Sequence, residues 1–177
     1  NYSALIDPTD DELRSRLTKV GRALAWKAAD ERRAIGVSGA TCDHWFTIAD
    51  NVVVEADGSR KRPFKAPAAH EPVIPTSTTL LLACIGISAF GRPIADGCHR
   101  PELVAALATC GVGDVLTPRR AAAVLLSPAG SQKDRPPTAR FVVALHRVRE
   151  VDSDTVTELA EALGDKAELV AVRERAS

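Results

Sequence analysis

Residues 78–86 read Thr-Thr-Leu-Leu-Leu-Ala-Cys-Ile-Gly. The run is apolar without alternation and ends on a glycine, the pattern of a strand covered on both faces in a parallel sheet. Two other runs repeat it: residues 51–58 read Asn-Val-Val-Val-Glu-Ala-Asp-Gly, and residues 141–145 read Phe-Val-Val-Ala-Leu. A last strand is expected over 168–172. Helix signals stand between these runs. Pro101 takes the first helical position of a segment reaching 109. Thr117 caps a helix running to 126, and Ser153 or Asp152 opens a helix that Gly164 stops. Strands alternating with helices predict an α/β fold, a doubly wound, mostly parallel sheet with helices on both faces. Ligands in such folds bind beyond the carboxyl ends of the strands. Glu55, Asp57 and Gly58 lie at one such end, and Gly86 and His146 lie at two others.

The segment before residue 50 reads differently. Pro8, Thr9, Asp10, Asp11 and Glu12 form a helix start, with acids facing the positive end of the dipole. Leu13, Leu17 and Val20 continue it and Gly21 breaks it. A second helical piece is expected over 26–34, a loop over 36–41, and a short helix over 43–49 carrying Trp45, Phe46 and Ile48. Between 62 and 75 stand Pro63, Pro67, Pro72 and Pro75, so this stretch is a structured, non-helical loop. Residues 127–137 form a polar loop.

The 177 residues suit a single α/β domain. In it, 1–49 form a helical N-terminal part, 50–151 the core, and 152–177 a final helix and strand. Aromatic residues make up 4% of the chain, so Ala, Val, Leu and Ile must build the core. Net charge is zero, yet residues 92–149 hold nine Lys and Arg against four Asp and Glu, while 150–177 hold eight acids against three bases. The bases are single and separated by apolar runs, which argues for a solvated face and against a nucleic-acid interface. Cys42, Cys84, Cys98 and Cys110 show no C-x-x-C spacing, and no signal peptide or membrane-length apolar run accompanies them. Free thiols in a reducing cytoplasm are expected, with no membrane partner and with Cys84 as plain core. The chain has no Met and opens on Asn1, which leaves a further N-terminal segment open as one reading.

The chemistry concentrates between Glu55 and Pro75. Glu55 and Asp57 at a strand end suit a hard cation such as magnesium, and Gly58-Ser59-Arg60 suits a phosphate approaching the backbone. The prolines around Lys65, His70 and Glu71 fix those side chains in place. Lys65 is an anion donor, and His70 and Glu71 are the candidates for acid/base work. His99-Arg100-Pro101-Glu102 reads as a helix start presenting a His and an Arg to an anion. Cys98 beside His99 is the thiol to test for chalcogen handling. His146 and Arg147, after a strand, are placed to meet a nucleotide base. For each motif the plain alternative is a solvated turn or connector.

Taken together, the run VVVEADGSRKRPFKAPAAHEPVIP, the later HRPE, and the helix opening Thr117-Pro118 resemble the YqeC-like accessory family of selenium-dependent molybdenum hydroxylases, a family related to P-loop NTPases. The resemblance covers roughly 50–151, with 1–49 matching loosely. It implies a nucleotide-binding protein that helps mature these hydroxylases, with Mg2+ and a nucleoside triphosphate as cofactors and the hydroxylase or its maturation factors as partners. By that likeness Glu55, Asp57 and Gly58 are the acidic nucleotide motif, and Lys65, His70, Glu71, His99 and Arg100 are signature positions. Family members open with a G-x-x-G-x-G-K-T phosphate loop. Here residues 36–41, Gly-Val-Ser-Gly-Ala-Thr, lack the lysine. Three readings stay open: a nucleotide-binding accessory factor, an NTPase or nucleotidyl-transfer enzyme if a phosphate loop lies upstream, and a scaffold delivering selenium or molybdenum cofactor.

Overall fold

Thr9 starts the first helix as its sequence requires. The computed structural model describes residues 4–30 and 33–173. The Thr9 hydroxyl accepts from the Glu12 amide at 3.3 Å while the Glu12 carboxylate accepts from the Thr9 amide at 2.9 Å, a reciprocal cap. Helix α1 (Asp10–Val20) ends where Gly21 takes a left-handed φ of 73°. It connects the parallel pair β1 (Leu5–Ile6) and β2 (Ala25–Trp26). Next come β3 (Ala28–Ala29) and β4 (Ala34–Ile35), an antiparallel pair, so the helix expected over 26–34 is absent; residues 31 and 32 lie outside the described residues. Small residues carry no strong helical stripe there, and strand pairing prevails over propensity. Helix α2 (Gly39–Trp45) begins four residues earlier than 43, because Ser38 caps it through the Thr41 amide at 3.1 Å.

These elements form one of two compact units into which the chain divides, residues 1–55 with Ile74–Ser77. Asp43 on α2 holds the returning segment: its carboxylate accepts from the amides of Thr76 (3.2 Å) and Ser77 (2.8 Å) and from both hydroxyls. These bonds, Ser77 first, lower the Asp43 carboxyl to about 2.

The second unit is Ala56–Val73 with Thr78–Ser177. Its main sheet has three parallel strands in the order β6 (Leu80–Gly86), β8 (Arg140–Val148), β9 (Glu168–Arg173). A smaller parallel pair joins β5 (Phe64–Lys65) to β7 (Cys98–His99). The helices are the short α3 (Ile94–Gly97) and α4 (Pro101–Leu107), then α5 (Pro118–Leu126) and α6 (Ser153–Leu163). Thr117 caps α5 and Gly164 follows α6, as expected. Ile85, Val143 and Leu145 of the sheet join Val124 and Leu125 of α5 and Leu159 and Leu163 of α6 in one core.

The architecture is therefore mixed α/β with small, mostly parallel sheets. Two expectations fail. The Val run at 51–58 forms no strand, and Val53 is 97% exposed. β-Branching favours a strand only where a neighbour supplies the ladder, and none pairs with this run among the described residues. One face of the main sheet is also open along its outer strands, while Val142 and Ala144 of the central strand are buried there. Leu80, Leu82, Val170 and Val172, which alternate with the core-facing positions, remain 41–50% exposed. Cys84 lies on this open face and is exposed, not core. No helix among the described residues is long and apolar enough to cross a membrane.

Candidate functional site

The period-2 alternation of two very short strands builds the site. In the β5–β7 register Phe64 lies opposite Cys98 and Lys65 opposite His99. Phe64 and Cys98 are 2% and 3% exposed and enter the core, so Lys65 and His99 share the other face. The Pro-rich loop then returns Glu71 to the Lys65 ammonium. Glu71 is the one buried charged side chain among the described residues. The Glu71–Pro72 peptide is cis.

Four charges alternate around Glu71. Lys65 donates to one Glu71 oxygen and Arg100 Nη2 to the other. Lys65 also meets Asp57 at 3.1 Å and donates to the Gly58 carbonyl at 2.9 Å. Lys133 closes the loop from behind, donating to the carbonyls of Ala69 (3.2 Å) and Glu71 (3.0 Å). Burial pushes the Glu71 carboxyl up, but the hydrogen bonds and charges of Lys65 and Arg100 outweigh it and leave it below the usual glutamate range. Glu71 is thus a fixed anion at neutral pH, with no proton to donate. His70 is 79% exposed at its side chain, with Nε2 3.5 Å from Glu71.

His99 is held below its ordinary value by burial first, then by the positive charges of Arg100, Arg60 and Lys65. A neutral imidazole beside three cations marks a region of positive potential. Arg60 and Lys61 occupy the centre of a tight turn closed by the Arg62 amide on the Ser59 carbonyl at 3.0 Å, with φ of 51° and 61°. Arg100 also has a positive φ, 58°. Left-handed backbone at non-glycine residues is strained and gathers at functional sites. Arg100 Nη1 is buried with no hydrogen-bond partner. Such a donor costs about 1–3 kcal/mol unless an acceptor reaches it.

The structure thus brings Asp57, Gly58, Lys65, His70, Glu71, His99 and Arg100 into one neighbourhood, and Arg60 acts on it through charge. Gly58 serves by its carbonyl, and a side chain there would meet nothing within 4 Å. Ser59 serves as the first residue of the turn. Glu55 is exposed and falls in the other unit from Asp57, whose carboxylate is committed to Lys65. Among the described residues no group of three or more His, Cys, Asp or Glu side chains assembles, so no metal site is preformed there from side chains alone. Cys98 is 3% exposed, and burial raises its thiol to about 11, away from the thiolate a reactive cysteine needs. Helix α4 has only seven residues, so Arg100 acts by its guanidinium and not by a helix terminus. Lys133 was not legible in the sequence, because its polar loop carries no motif. His146 packs its ring over Gly86, and a Cβ at Gly86 would lie 3.1 Å from His146 Cε1.

Comparison with known proteins follows the same stretch. A protein of Escherichia coli strain K12, described as uncharacterized protein YqeC, is 30% identical over 105 residues. That overlap is 59% of this chain and 41% of the relative, so the chain spans well under half the relative's length. No solved structure matches. The sequence model of the YqeC protein family matches residues 2–102. The match takes in the N-terminal segment and stops just after Arg100, where the resemblance had been traced from 50 to 151. It covers more than half of the chain and includes the whole Asp57–Lys65–Glu71–Arg100 cluster: the chain belongs to the YqeC family.

Proposed function

We propose that this protein is an accessory factor for maturation of selenium-dependent molybdenum hydroxylases, and that it binds a nucleotide or another phosphate-bearing cofactor at the Lys65–Arg100 cluster. One observation carries the ligand class: the buried Arg100 Nη1 has no acceptor, beside a His99 that burial first and then the charges of Arg100, Arg60 and Lys65 hold down against Glu71. A phosphate oxygen would satisfy that donor with a charge-assisted bond. In this reading Glu71 positions Lys65 and Arg100, Arg60 steers the anion, and neutral His99 contributes a ring nitrogen. His70, exposed beside Glu71, faces the client or moves a proton. A nucleoside triphosphate suits the site, arriving with magnesium as the counter-ion of its own phosphates. The client is the hydroxylase or one of its maturation factors. A doubly wound, P-loop-type sheet belongs to the same reading. The open sheet face supports it, since parallel sheets are covered on both sides.

The test is calorimetric titration of ATP, GTP and pyrophosphate, with and without magnesium, into the wild type and Arg60→Ala. Loss of at least about fivefold in affinity for all three on removing Arg60 supports the reading. Equal affinity in the two proteins, or no binding of any of the three, overturns it and leaves a scaffold role for the loop.

A further inference from the structure

A cavity elsewhere in the second unit shares no residue with the Glu71 cluster. It has a volume of about 490 Å3 and opens where β6 and β8 end, lined by Ile87, Ser88, Phe90, Arg147, Arg149 and Asp152 with their neighbours. The carboxyl ends of parallel strands are where ligands of open α/β sheets bind, and the volume falls in the range of small-molecule sites, roughly 300–1,000 Å3.

Its walls divide by chemistry. Ile87 and Phe90 supply an apolar side, half-buried and packed on the core. Arg147 and Arg149 supply a cationic side. Arg149 is held by Asp152, with Nε 3.4 Å from the carboxylate and the Arg149 amide donating to it at 2.8 Å. That bond and the Arg149 charge keep Asp152 below the usual aspartate range, an acceptor only. Arg147 makes no ion pair or hydrogen bond with a described residue. It sits at the bulge where the β8–β9 register shifts between His146 and Val148, with a φ of 61°. A bulge re-aims a side chain that regular alternation would send elsewhere. Here the strained backbone delivers a guanidinium with no partner among the described residues to the rim of a cavity with one apolar wall.

We propose that this cavity binds a nucleoside phosphate. The ring lies against Phe90 and Ile87, the phosphate meets Arg147, and Asp152 with Ser88 takes the sugar hydroxyls. An inorganic anion alone would leave the apolar wall unused, and an uncharged ring would leave Arg147 unused.

Titration of adenosine and guanosine monophosphates, adenosine and inorganic phosphate into the whole protein tests this, with the variants Arg147→Ala, Phe90→Leu and Arg60→Ala. The expected result is monophosphate affinity lowered at least about tenfold in Arg147→Ala. In Phe90→Leu it falls several-fold, and in Arg60→Ala the binding read at the cavity's own residues persists. Amide resonances of Ser88, Gly91 and Thr155 shift on binding. Monophosphate binding that survives Arg147→Ala, that inorganic phosphate matches in affinity, or that is absent overturns the proposal. Binding lost in Arg60→Ala alone would place the ligand at the Lys65–Arg100 cluster, overturning the cavity while leaving the proposed function standing.

Discussion

Arg100 gives one guanidinium nitrogen to the buried carboxylate of Glu71 and keeps the other buried without an acceptor. The pairing fixes the side chain, so the spare nitrogen is a preorganised donor. Removing Glu71 therefore does two things at once. It leaves Arg100 without its carboxylate, and it leaves Lys65 to Asp57 and the Gly58 carbonyl alone.

Glu71→Gln keeps the shape and removes the charge. Breaking a buried ion pair by deleting one partner costs about 3 kcal/mol. Urea unfolding is expected to show a loss of that size with an unchanged slope. A loss below about 0.5 kcal/mol would mean the pair is solvent-screened.

The Glu71 carboxyl is lower in the folded protein than in the unfolded chain. The unfolded state therefore binds the extra proton, and stability rises with pH across this window. The contribution of Glu71 is present above the ordinary glutamate value, about 4.3, and is lost as pH falls through its lower folded value. Asp43, at about 2, extends the same loss further into acid. Urea midpoints of the wild type are expected to fall steadily with acidification below that ordinary value. In Glu71→Gln the first part of that fall is absent, and in Asp43→Asn the later part is reduced.

Thiol reactivity separates the cysteines. Cys84 is exposed, whereas Cys42 and Cys98 are buried and Cys98 is raised to about 11. Native-state labelling with an aromatic disulfide is expected to modify Cys84 first and to spare Cys98 until the protein unfolds. Fast labelling of Cys98 in the native protein would reopen a chalcogen role for it.

Gly86 lies under the His146 ring and beside Pro63, where an added Cβ would lie 3.0 Å from Pro63 Cβ. Gly86→Ala is expected to destabilise by about 1–3 kcal/mol. The double variant with His146→Ala should recover part of this. No change in the single variant would show that the ring moves aside freely.

Much of this was readable in the chain. Thr9 with Glu12, and Thr117 with Pro118, are local devices, and local devices act as written. Residues 78–86 and 141–145 form strands because they pair with each other. The Val52–Val54 run has the same composition and no ladder partner among the described residues, which composition cannot reveal. The loop around Lys65 and Glu71 was legible as a fixed, charged segment. Its pairing with Arg100 was not, because it depends on two-residue strands that bring Lys65 beside His99 across more than thirty positions. The burial of Cys98 is likewise a consequence of packing.

Arg100→Lys tests the central claim most directly, because it keeps a cation for Glu71 and deletes the spare guanidinium nitrogen. Pyrophosphate affinity is measured by calorimetry in the wild type and in this variant, with folding confirmed by urea unfolding. A loss of at least about tenfold in a folded variant is the predicted result. Unchanged affinity would contradict the assignment of Arg100 as the phosphate donor.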